Sequence, residues 1–215
     1  MSSGSKRLKN LQICRPFVYG NMAVPLKEDR SPDIPPDHTH SWTVFLKGVN
    51  GDDLSSFVKR VVFKLHETYP NSSRSIEEPP FEVTETGWGE FEISIRVYFV
   101  PEASEKNVVM YHHLKLHPYG PEAEQQKSDG ATVTSMQYDE FVFSEPTESL
   151  FEILTKKSGA VLPAQKSTMV PFSTQSENEE LDRLSDAQSK VQENIRRLTE
   201  RIHVLEQEKA ALQSL

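Results

Sequence analysis

The chain carries a single cysteine, Cys14, in 215 residues. One thiol cannot close an internal disulfide, so the fold must stand without covalent staples, as is usual in a reducing compartment such as cytosol or nucleus. No apolar run approaches the roughly 20 residues that cross a bilayer, and Met1 to Asn10 lacks the apolar core of a signal peptide, so neither a membrane role nor secretion is expected. Excess positive charge is also missing. A net charge of -8 argues against nonspecific nucleic-acid binding and leaves room for a basic peptide as partner. The signatures of chemistry are absent too: no cysteine pair, no HExxH helix, no glycine-rich loop opening a helix and no glycine elbow around a serine. Seven histidines are present, with His38 near His40 and with His112, His113 and His117 grouped, but without metal-ligand spacing. An enzyme, a metal site and a cofactor are therefore not expected.

What is present is mostly β pattern. Leu11 to Tyr19 reads as a first strand ending at Gly20-Asn21, and the proline-interrupted stretch from Val24 to Asp37 as an exposed loop. His40 to Lys47 alternates with Trp42, Val44 and Leu46 on one side, and Val58 to Glu67 with Val61, Phe63 and Leu65. Pro70 to Pro80 reads as a turn-rich bridge. Phe81 to Val83 resumes the strand pattern, and Glu92 to Phe99 places Ile93, Ile95, Val97 and Phe99 inward. Val108 to Leu116 and Thr132 to Phe143 supply further strands around a polar loop, Pro118 to Gly130. Short strands at this spacing, without a βαβ rhythm, predict an all-β fold, an immunoglobulin-like antiparallel β-sandwich, with a closed barrel as the alternative.

A short helix is expected over Glu148 to Lys157, where the globular domain (1–157) ends. Residues 158–178, rich in Ser, Thr, Gln and Pro, read as a flexible linker. From 179 to 215 Leu181, Leu184, Gln188, Val191, Ile195, Leu198, Ile202, Leu205, Lys209 and Leu212 recur at alternating steps of three and four, the a/d seam of a coiled coil. Gln188 and Lys209 at a positions weaken such a coil while fixing its register, and Arg201 can pair with Glu206 of a partner helix. A single amphipathic helix packed on its own domain is the alternative.

The stretch Pro79 to Phe91 reads as a strand, a turn and a second strand, with Trp88 at the tip between Gly87 and Gly89. Glycines there allow positive φ and close approach of a ligand, and a tryptophan with so little local cover exposes a large apolar surface that a ligand can occupy. Tyr69, after the strand that carries His66, and Phe91 complete an aromatic group. From Glu77 to Glu92 there are six glutamates, Glu77, Glu78, Glu82, Glu85, Glu90 and Glu92, and no Lys or Arg, an acidic rim suited to a lysine-rich peptide or simply a solvated face.

Four ordered blocks, His38-Thr39-His40-Ser41-Trp42-Thr43-Val44, Phe63-Lys64-Leu65-His66-Glu67-Thr68-Tyr69, Glu78-Pro79-Pro80-Phe81-Glu82-Val83 and Glu85-Thr86-Gly87-Trp88-Gly89-Glu90-Phe91, resemble the signature blocks of the YEATS-domain family. The Gly-Trp-Gly form with a C-terminal coiled coil is similar to the subgroup shared by a histone acetyltransferase complex and a histone-variant-exchange remodelling complex. The resemblance implies a noncatalytic, nuclear reader of acetyl- or crotonyl-lysine on histone tails, joined through its coil to subunits of chromatin complexes or to a second copy. It implies that the acyl-lysine threads between Tyr69 and Trp88, with the Trp88 N–H on the acyl oxygen and the Thr68 hydroxyl on the amide N–H. His40, His66, Gly87, Gly89 and Phe91 would shape the pocket. A structural adaptor that binds partners without reading acyl-lysine is the alternative.

Overall fold

The computed structural model describes residues 6–27, 29–157, 159–166 and 171–213. Within them the chain forms two compact units, Met1–Val161 and Leu162–Leu215. The first holds eight strands: β1 (Gln12–Pro25), β2 (His40–Gly48), β3 (Val58–Lys64), β4 (Ser73–Ile76), β5 (Phe81–Gly87), β6 (Glu92–Phe99), β7 (Val108–His113) and β8 (Val133–Ser144). They make two four-stranded antiparallel sheets, ordered β5-β2-β1-β8 and β4-β3-β6-β7, so the architecture is a sandwich and not a closed barrel.

The alternation seen in the sequence is what fills the space between the sheets. Trp42, Val44 and Leu46 of β2 face Val61 and Phe63 of β3 and Ile93, Ile95 and Val97 of β6, all nearly or fully buried. Burying each such side chain contributes about 1.5–3 kcal/mol, which makes this two-period pattern the main determinant of which face turns inward. Thr147 caps α2 (Glu148–Lys156), its hydroxyl accepting from Leu150 N–H at 3.1 Å, and Leu150 and Leu154 close one end of the core.

Four details depart from the sequence reading. β1 runs on past Gly20-Asn21 to Pro25, because pairing with β2 on one side and β8 on the other supplies partners that the local sequence does not reveal. The bridge Pro70 to Pro80 contains β4, a short polar strand whose Ile76 packs against the core while Arg74, on the same face, reaches Glu85. A short helix, α1 (Ala123–Ser128), interrupts the polar loop. The stretch around Trp88 is not a hairpin: β5 pairs with β2 and β6 with β3 and β7, so residues 87–91 cross from one sheet to the other.

In the second unit α3 (Thr174–Gln213) starts where the Ser173 hydroxyl accepts from Ser176 N–H at 3.1 Å, so residues 174–178, expected in the linker, are helical. Residues 158 and 167–170 of the expected linker and 214–215 of the expected coil lie outside the described residues. No helix among the described residues is long and apolar enough to cross a membrane.

A buried polar knot ties β1 to the segment after β7. Asn21 Oδ1 accepts from Lys115 N at 2.9 Å and from His112 Nε2 at 2.8 Å, while Asn21 Nδ2 donates to Lys115 O at 2.8 Å. An oxygen that already accepts from an amide requires a protonated Nε2, so His112 is the neutral Nε2–H tautomer. Burial first, and then the neighbouring His113, lower its pKa from 6.5 to about 4. A folded pKa below the unfolded one means that the unfolded chain takes the proton first. The stabilisation is therefore complete above about pH 6.5 and lost progressively as pH falls toward about 4. In urea unfolding, the stability difference between the native chain and His112→Gln should shrink over that interval, and a difference independent of pH would refute the assignment.

Candidate functional site

Three segments converge on a cleft of about 760 Å³: His66 to Pro70 between β3 and β4, Glu85 to Phe91 at the sheet crossing, and residues 33–38 between β1 and β2. Each is held in place by identifiable bonds. Arg74 on β4 pins the first, donating to Asn71 O (2.6 Å), Pro70 O (2.8 Å) and the Glu85 carboxylate (2.6 Å). Glu90 pins the second from behind: its Oε1 accepts from the amides of Leu116 (2.8 Å) and His117 (3.2 Å), and its Oε2 from Lys115 Nζ (3.3 Å). Burial alone would push the Glu90 carboxyl up, but these amides and the Lys115 ammonium outweigh it and hold it below the usual carboxylate value. In the third segment Arg30 donates to the carbonyls of His38 and Pro36, and Thr39 N–H to Gly87 O at 3.1 Å.

Aromatic rings wall the cleft. Tyr69 packs edge-on to the buried Trp42 (centroids 5.7 Å) and tilted against Phe91 (5.6 Å), and His66 lies 5.9 Å from Phe91. The Tyr69 hydroxyl donates to Thr86 O at 3.1 Å, and burial raises its pKa, keeping the proton in place. Trp88 is different: it is 65% exposed and stacks on no ring among the described residues. One wall of the cleft is thus fixed by packing and the other stands free.

Thr68 and His66 form a polar pair at the mouth. The Thr68 N–H points to His66 Nδ1 (3.4 Å) and the Thr68 hydroxyl lies 3.0 Å from the same nitrogen. A nitrogen approached by an amide hydrogen is unprotonated, so the hydroxyl gives its own hydrogen to Nδ1 and keeps its lone pairs for a ligand donor. The Trp88 N–H donates to no described residue. The site therefore offers the Trp88 N–H as a donor and the Thr68 oxygen as an acceptor beside flat rings.

The eight residues expected at the site do not all meet there. His66, Thr68, Tyr69, Gly87, Trp88, Gly89 and Phe91 line the cleft, whereas His40 does not. It is buried at the start of β2, bonded to the Thr39 hydroxyl (2.8 Å) and edge-on to His117 (4.9 Å), and burial lowers its pKa. His38 takes the lining position instead, its Nδ1 2.7 Å from the Thr86 hydroxyl. Two residues along an irregular loop reverse which side chain faces the site, and no periodic signal covers that loop. Asp33, Ile34, Pro35 and Asp37 also line the cleft, a role with no signature in the sequence beyond proline content.

The glycines act otherwise than expected as well. Positive φ occurs at Gly51, Gly120 and Gly130 and not at Gly87 or Gly89. Gly87 is needed for space: a Cβ there would collide with the Tyr69 hydroxyl and meet Trp42 Nε1 at 3.5 Å, whereas one on Gly89 would meet nothing within 4 Å. Gly87→Ala is expected to cost about 1–3 kcal/mol of stability by overpacking. Tyr69→Phe, which removes the struck oxygen, should recover part of that loss in the double variant. Strictly additive losses in a double-mutant cycle of urea unfolding would contradict this contact.

Comparison with known proteins agrees with this architecture. A model of the YEATS family matches residues 37–118. The chain is 50% identical over 198 residues to the protein AF-9 homolog of Eremothecium gossypii, covering 92% of this chain and 95% of that one. It is 46% identical over 217 residues to the protein AF-9 homolog of Saccharomyces cerevisiae, covering 96% of each. Among solved structures it is similar to the Yaf9 YEATS domain bound to H3K27ac, with 51% identity, a TM-score of 0.63 and coverage of 71% of this chain and 99% of that one. It is also similar to the Yaf9 YEATS domain recognising an H3K122suc peptide, with 50% identity, a TM-score of 0.60 and coverage of 70% and 99%. With half its residues shared over nearly the full length of a relative, the chain belongs to the YEATS family.

Proposed function

We propose that this protein is a noncatalytic reader of acylated lysine on histone tails. The observation that carries the reading is the cleft lined by the fixed Tyr69 ring and the free Trp88 ring, with the Trp88 N–H, which no described residue accepts, and the Thr68 hydroxyl, bonded to His66, beside them. Acylation removes the ammonium charge and its desolvation cost and creates a flat amide whose faces suit aromatic stacking. In this reading the amide lies between Tyr69 and Trp88, the Trp88 N–H donates to the acyl oxygen, and the Thr68 hydroxyl accepts from the amide N–H. His66 orients that hydroxyl, Phe91 backs Tyr69, Gly87 leaves room for the Tyr69 ring and Gly89 keeps the mouth open. Asp33 and Asp37 on the rim favour the basic residues that surround the modified lysine. The Yaf9 YEATS domain, half identical in sequence, binds H3K27ac.

The second unit carries the assembly role. Its a/d residues, Leu181, Leu184, Val191, Ile195, Leu198, Ile202, Leu205 and Leu212, are 45–72% exposed, an apolar stripe that a second helix would bury. Arg196 pairs with Glu193 within the helix, whereas Arg201 and Glu206, flanking the stripe, have no ion-pair partner among the described residues and suit an interhelical pair. The helix joins the reader to a subunit of a nuclear chromatin-modifying or remodelling complex, or to a second copy.

Trp88→Ala should weaken binding of an acetylated histone peptide by at least about tenfold, equivalent to about 1.4 kcal/mol, without lowering the unfolding temperature. Equal calorimetric affinities for acetylated and unmodified peptides would sink the reader hypothesis. For the helix, the chain truncated after 178 should keep peptide affinity and lose self-association or complex incorporation. A truncated chain that still assembles, by sedimentation and by co-purification, would rule the helix out as the assembly element.

A further inference from the structure

The outer face of the second sheet has no part in the cleft. Strand parity puts Arg60, Val62 and Lys64 of β3, Ser94, Arg96 and Tyr98 of β6, and Val109, Tyr111 and His113 of β7 on it. The register places Arg60 opposite Tyr98, Val62 opposite Arg96 and Lys64 opposite Ser94, so the three cations follow a zigzag with diagonal neighbours about 7–8 Å apart. Glu92, at the cleft end of β6 opposite His113, is the single carboxylate on these three faces.

The state of these cations is what sets the face apart. Six arginines fall in the sandwich, and Arg7, Arg15, Arg30 and Arg74 each donate to a carbonyl or carboxylate of the protein. Arg60 and Arg96 donate to none among the described residues, and Lys64 has no ion-pair partner there. Arg60 instead places its Cζ over the Tyr98 ring, 4.0 Å from the centroid, a cation–π contact that takes up none of its N–H groups in a hydrogen bond to oxygen. Tyr111, 60% exposed, and the hydroxyl of Ser94 continue the row from Lys64. In a chain of net charge -8 this is a segregated basic surface, rigid because it is built on paired strands.

We propose that this face binds the phosphate backbone of duplex DNA. An array of two guanidinium groups, an ammonium and hydroxyls on one sheet face suits repeated phosphates, which position a protein without reading sequence. Choosing DNA over an acidic protein rests on the acyl-lysine reading, since a histone tail lies beside DNA. The net charge, which taken alone argues against nucleic acid, is a sum over the whole chain, including the acidic second unit, and does not describe this face.

The test is fluorescence anisotropy of a labelled DNA duplex with the full chain across a salt series. Neutralising three phosphates predicts a slope of log K against log salt of about -2.7. Lys64→Glu/Arg96→Glu should reduce affinity at low salt and flatten the slope by about two, while the unfolding temperature and the affinity for an acetylated histone peptide stay unchanged. Lys64→Gln/Arg96→Gln provides the same comparison should charge reversal unfold the domain. Absence of duplex binding at low salt, or equal binding by these variants, overturns the proposal. So does binding of polyglutamate in place of DNA, which would mark an acidic protein as the partner. Duplex binding by a chain that ignores peptide acetylation would leave this surface standing and remove the acyl-lysine reading instead.

Discussion

The contact on which the site depends is the approach of the Tyr69 ring to the backbone at Gly87. Tyr69 follows β3 of one sheet, while Thr86 and Gly87 end β5 of the other, so the hydroxyl bond to Thr86 O joins the two layers at the open end of the sandwich. Trp42 and Phe91 pack around that joint. With Tyr69 pinned from two sides, the chain leaving Gly87 must pass outward before reaching β6, and Trp88 sits on this passage. The exposed ring is thus a consequence of the layer joint, since a hairpin turn would have kept both strands in one sheet.

Charge around the cleft is sorted in the same spirit. Glu85 and Glu90 are spent on Arg74 and on the Leu116 and His117 amides, and both bonds serve to hold backbone near the site. The cleft lining contains no Lys or Arg, and the acidic groups with no cation or backbone amide on their carboxylates among the described residues, Asp33 and Asp37, belong to the proline-rich loop. The field at the mouth therefore comes from a loop whose position is set by Arg30 and by the Thr39 bond to Gly87.

The period-two faces of β2, β3 and β6 were legible because a half-buried strand records its own orientation in alternate residues. The a/d seam of α3 was legible for the corresponding helical reason. Tyr69, Trp88 and Phe91 stood out as aromatics at strand ends, and their family resemblance supplied their pairing. What stayed hidden depends on partners remote in sequence. β4 has two inward residues in four, and one of them is the charged Arg74, too little for an apolar period. The extension of β1 to Pro25 is dictated by β2 and β8. His38 and His40 differ in role through loop geometry that leaves no pattern, and the crossing at 87–91 looks like a hairpin until sheet membership is known.

The hydrogen of the Thr68 hydroxyl, given up to His66 Nδ1, has a chemical consequence for what the cleft can hold. With that hydrogen committed, the oxygen can only accept, so the group entering beside it must bring an N–H. A secondary amide does. An ester-linked acyl chain, or an amide nitrogen carrying an extra methyl, brings a lone pair or a carbon to the same point. On the acyl-lysine reading, the linkage atom is then selected as firmly as the acyl group itself.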